Sequence, residues 1–117
     1  MMIPLDQIAS AAALACGASF AQMRGDVRTT EVLRARRIFA GLVREFTGYS
    51  YPEIAAWYGP SWLPPGGRRR RSHSTTHGHH EAHHQHFAAC PVYRDAYDRA
   101  AAQVREMTQG DRQWKAA

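Results

Sequence analysis

Apolar residues recur at helical spacing in several stretches of the chain, and nowhere do they alternate as a half-buried strand requires. Leu5, Ile8, Ala12 and Ala15 set the first repeat, and Gly17 is a natural stop behind it. Ser19-Phe20-Ala21-Gln22-Met23 follows as a short apolar turn that covers the core. The longest clean pattern runs from about Thr30 to Thr47. It buries Val32, Ala35, Phe39, Leu42 and Phe46 and puts Arg34, Arg37, Gly41 and Arg44 on a different face. Pro91 opens a last helix, with Tyr93, Tyr97, Ala100, Val104 and Met107 as its buried stripe and Asp95 and Arg99 as a surface i,i+4 pair. The expected fold class is therefore all-α.

Local chemistry sharpens the middle of the chain. Gly48 ends the long helix, and Ser50 and Glu53 then stand in the S-x-x-E spacing of a capping box, each side chain satisfying the other's backbone N–H. Tyr49 and Ile54 occupy the positions of a hydrophobic staple, and Pro52 falls in the first turn, where its missing N–H does no harm. This short helix ends near Tyr58, before Gly59-Pro60. Residues 60–71 form a Pro/Gly/Arg loop by composition. Ser72 is placed to cap a helix from His73 to about Ala88, within which Gly78 costs about 1 kcal/mol relative to alanine. One domain over residues 1–107 is expected, with 108–117 as a flexible tail.

Charge adds a partner to this outline. The chain of 117 residues carries a formal net charge of +5, which suits a polyanion. Lys115 is the sole lysine, and arginine is the better residue for bidentate phosphate and guanine contacts. Ten arginines against four acids lie between Arg24 and Arg71, so the basic charge sits mid-chain. Cys16 and Cys90 are far apart, without CxxC spacing, and read as packed, reduced thiols of a cytoplasmic protein. The apolar run from Ile8 to Ala21 lacks a basic leader, contains no span of bilayer length and follows Asp6, so neither secretion nor membrane insertion is expected.

Arg36-Arg37-Ile38-Phe39-Ala40, Leu42, Glu45-Phe46-Thr47-Gly48, Ser50-Tyr51-Pro52-Glu53-Ile54 and Arg71-Ser72-His73-Ser74-Thr75-Thr76, in that order and spacing, resemble the C-terminal DNA-binding domain of the bacterial replication initiator DnaA. The resemblance covers roughly residues 4–107 and is strongest over 32–59 and 71–76. It implies a Trp-repressor-like helix-turn-helix, with residues 51–58 as its first helix and 73–86 as its recognition helix. It also implies that His73, Ser74 and Thr75, with Ser72 in front of them, meet base edges in the major groove. Arg24, Arg28 and Arg34 are the matching candidates for the adjacent minor groove. Arg68, Arg69, Arg70 and Arg71 would neutralise phosphates beside that helix, since backbone contacts dominate protein–DNA affinity. Three features depart from the family pattern. Ser72 stands where the family has aspartate, about ten residues around Trp62-Leu63-Pro64-Pro65 are inserted, and His77-Gly78-His79-His80 replaces an apolar pair and a small residue. No G-x-x-x-x-G-K-[ST] occurs, so the expectation is a DNA-binding module without the ATPase, acting as a regulator or accessory factor in replication initiation or transcription.

Two other function classes have features behind them. All seven histidines fall between His73 and His86, and 79/83 and 80/84 are i,i+4 pairs. His79, His80, His83 and His84 are thus candidate ligands for a divalent transition metal, or a charge reserve that strengthens DNA binding on mild acidification. Trp57, Tyr58, Trp62 and Leu63 either close the core or, through the Trp62 loop, present a surface for a partner protein or a second copy. Catalysis finds no support: His73 and Ser74 are neighbours that diverge on a helix, and no orienting acid is apparent.

Overall fold

The structure, a computed structural model, describes residues 3–25, 27–58 and 73–116, and for 73–77 and 108–116 it describes the backbone alone. Among the described residues there are six helices and no strand. They are α1 (Leu5–Cys16), α2 (Phe20–Arg24), α3 (Thr30–Phe46), α4 (Tyr51–Trp57), α5 (His73–Ala89) and α6 (Pro91–Ala116). The all-α expectation holds. The last helix continues beyond the stripe that ends at Met107, as far as Ala116.

Several helices begin or end for a local reason. Gly17 adopts φ 71°, and the N–H groups of Gly17 and Ala18 donate back to the Leu14 and Ala13 carbonyls, which terminates α1 in a left-handed turn that glycine enters without strain. Ser19 and Gln22, which stand in the S-x-x-Q spacing, form a capping box around α2. The Thr29 hydroxyl accepts from Val32 N–H at the start of α3, and the Thr47 hydroxyl donates to the Val43 carbonyl at its end. For α4 the expected box is present, with Ser50 N–H donating to Glu53 Oε1 at 3.2 Å and Glu53 N–H donating to Ser50 Oγ at 3.3 Å.

The central helix is α3, against which α1, α2, α5 and α6 all pack. Val32, Ala35, Phe39 and Leu42 are buried as the periodicity requires, while Phe46 is half-buried under the Arg105 guanidinium. The second face of α3 departs from expectation. Gly41, placed by periodicity among exposed arginines, is buried because α5 lies across it. From α6 come Tyr93, Tyr97, Ala100 and Val104, all buried, and the expected Asp95–Arg99 pair forms at 3.4 Å on the surface. Trp57 and Tyr58 do close the core. Trp57 packs between Phe20 and Phe39, and its indole N–H donates to Asp6 Oδ1 at 2.7 Å, tying α4 to α1. Cys16 is a buried free thiol, pushed up to about 11 by burial, and Cys90 is half-buried and also free.

Candidate functional site

The helix pair expected to read DNA meets through aromatic and imidazole side chains. Tyr58 packs against His79 at 6.5 Å between ring centroids, and the Tyr51 hydroxyl lies 2.9 Å from His80 Nδ1. α4 therefore crosses α5 near its residues 79 and 80. His73 stands seven positions before His80, so the first turn of α5 starts about 10 Å further along the axis. Ser72 and Arg68 to Arg71 lie outside the described residues, as do Trp62 and Leu63, and so do the side chains of His73, Ser74 and Thr75.

The minor-groove candidates occupy unlike settings. Arg24 Nε and Nη2 donate to the Trp57 carbonyl at 3.0 and 2.6 Å, while the guanidinium lies over the Trp57 and Phe20 rings. It serves as the C-terminal cap of α4. Arg34 is half-buried on α3, within electrostatic reach of Cys16 and Tyr93. Arg28 is exposed in the loop before α3.

Arg24 belongs to a wider arrangement that sequence reasoning missed. Arg36 is buried and donates to the carbonyls of Met23, Gln22 and Gly25 at the end of α2, at 2.9–3.0 Å. Arg94 donates to Phe87 and Ala88 at the end of α5, and Arg99 reaches Ala15 at the end of α1. Four helix C-termini are thus capped by guanidinium groups, where unpaired carbonyls and the negative end of the helix dipole favour a cation. The arginine-rich composition partly serves this architecture. No local pattern could have shown it, because Arg24 and the carbonyl it binds are 33 residues apart.

The histidines divide between packing and surface. His83 is buried, with Nδ1 2.8 Å from the Tyr93 hydroxyl and its ring among Tyr93, Tyr97 and Phe87. Its ring sits so close to α3 that a Cβ on Gly41 would lie 2.6 Å from it. Burial first, then the neighbouring His84 and His80, pushes its imidazole down to about 4. His83 is accordingly a neutral core residue, and it takes no part in a charge reserve at mildly acidic pH. His86 stacks on Tyr93. His80 and His84 face a groove of about 430 Å³ whose opposite wall includes Arg44 and Glu45 of α3 and Tyr97 of α6. There the Tyr97 hydroxyl donates to the Glu45 carboxylate, and Arg44 lies over the Tyr51 ring.

No helix among the described residues is long and apolar enough to cross a membrane. No protein-family model matches the chain, and no curated protein matches it either.

Proposed function

We propose that this chain is a sequence-specific double-stranded DNA-binding protein that reads bases with the first turn of α5. Arg68 to Arg71 neutralise the flanking phosphates, and Arg28 serves the minor groove in place of Arg24, whose Nε and Nη2 donate to the Trp57 carbonyl at the end of α4. What carries the reading is the seating of α5: a short, doubly capped α4 crosses it at Tyr51–His80 and Tyr58–His79. Its first turn extends about 10 Å past that crossing, directly behind four consecutive arginines. A helix N-terminus presents its backbone N–H groups and positive dipole end to phosphate while its side chains reach base edges. The resemblance of 71–76 to the DnaA recognition segment supports the same assignment. The protein acts in the cytoplasm as a regulator or accessory factor, at initiator-type sites or promoters.

The deciding experiment is fluorescence anisotropy with a duplex carrying the box sequence read by DnaA against a scrambled duplex, at two salt concentrations in chelator. A preference for the box that survives added salt supports base reading. Equal and strongly salt-dependent binding to both leaves only non-specific phosphate attraction, and no binding to either overturns the reading. Within it, His73→Ala or Thr75→Ala costs about 1–3 kcal/mol of discrimination for each base edge no longer touched. Replacing Arg68 to Arg71 by alanine lowers the salt slope by about 0.9 for each phosphate no longer neutralised.

A further inference from the structure

We infer that His80 and His84 form a binding site for a divalent transition-metal ion of the class that prefers imidazole: zinc, copper or nickel. The Nε2 atoms of the two rings converge to 3.1 Å on the wall of the α3–α5–α6 groove. Two imidazole nitrogens bound to one cation at about 2.0–2.1 Å lie about 2.9 Å apart at a right angle and about 3.3 Å apart at a tetrahedral one. The observed separation falls between these. The i,i+4 spacing on a single helix brings the rings together, and the contact is a hydrogen bond between them, whose proton an ion replaces as the rings turn both lone pairs onto it.

The second observation is the Tyr51 hydroxyl, 2.9 Å from His80 Nδ1. A ligating histidine characteristically donates its other ring N–H to an oxygen, which fixes the tautomer and orients the ring. With Nδ1–H donated to Tyr51, His80 turns an Nε2 lone pair toward His84. The groove also has room for the water or anion that an ion with two protein ligands needs, and Glu45 contributes a carboxylate to the same lining.

The same geometry defines which histidines stay out. His83 also lines the groove, but its Nδ1 is engaged by the Tyr93 hydroxyl and its ring edge lies against Gly41, which turns it into the packing between α3 and α5. Among the described residues no group of three or more His, Cys, Asp or Glu side chains is arranged to hold a metal. The site is therefore an open, two-histidine one, suited to reversible capture rather than to a closed structural centre. It does not depend on the DNA reading.

Histidine-rich chains bind metal adventitiously, so the test must locate the ion. Zinc sulfate is titrated into the full chain, read by calorimetry and by imidazole nitrogen NMR. The first equivalent should shift the Nε2 resonances of His80 and His84. His80→Gln with His84→Gln should weaken that first event at least tenfold, while His79→Gln with His86→Gln leaves it in place. Tyr51→Phe, which keeps both ligands, should weaken it about tenfold. A first equivalent that shifts His73 or His77 and leaves His80 and His84 unmoved would overturn the proposal. So would a double variant at 80 and 84 that binds the first equivalent as tightly as the parent.

Discussion

The two sides of α3 are buried by different chemistry. Toward α1, α2 and α6 the contacts are aliphatic and aromatic, with Ile8, Met23, Ile38, Phe39 and Val104 all excluded from solvent. Toward α5 the buried side chain is an imidazole, His83, seated over the bare backbone of Gly41. Apolar burial contributes much the same free energy at any ordinary pH. Burial of an imidazole is conditional, because the interface accepts only the neutral ring. The helix proposed to read DNA is thus attached to the rest of the protein through a pH-sensitive contact.

Breaking the apolar side should have the largest effect. Phe39→Ala removes a fully buried ring that packs on Trp57 and Tyr58, and should cost about 3–5 kcal/mol in urea denaturation. The loss should be the same at pH 7 and pH 5. A penalty that grew with acid would mean the two sides are not separable.

Acid itself should weaken the imidazole side. An unfolded histidine titrates near 6.5, and His83 in the folded protein only near 4. Above pH 6.5 both states are neutral and His83 adds no pH dependence. Between 6.5 and 4 the unfolded chain takes up a proton that the folded one refuses, so stability falls by up to about 3 kcal/mol. The groups facing this ring are His80 and His84 on its own helix, Arg44 and Glu45 on α3, and Tyr93 and Tyr97 on α6. Urea midpoints measured across this range in chelator should show the fall, and His83→Gln should remove that share of it. An unchanged slope in the variant would place the acid sensitivity elsewhere.

The smallest effect tests the fit between the two helices. On an exposed helix face, replacing glycine by alanine stabilises by about 1 kcal/mol. Gly41→Ala should instead destabilise by about 1–3 kcal/mol, because its Cβ would meet the His83 ring at 2.6 Å. In a His83→Ala background that penalty should vanish, and a double-mutant cycle reads the coupling directly.

Much of the scaffold was legible where its determinants are local. The Ser50–Glu53 box spans four residues, and the stripes of α3 and α6 repeat with the helical period, so both follow from short windows. Asp6 shows the limit. In the sequence it is merely an acid out of place in a leader, and in the fold it accepts the Trp57 indole N–H from 51 residues away. The arginines show it again: their number suggested a polyanion, yet four of them bind the carbonyls of helix ends.

By itself the sequence determined the helical class, the main helix boundaries and the resemblance that motivates DNA reading, because helix period and capping are short-range properties of the chain. Only the tertiary structure decided which polar residues are buried. It set His83 over Gly41, closed arginines onto distant helix ends and brought His80 and His84 to one groove wall beside Tyr51. A histidine or an arginine carries no hydrophobic signature, so its burial depends on a partner that arrives from elsewhere in the chain.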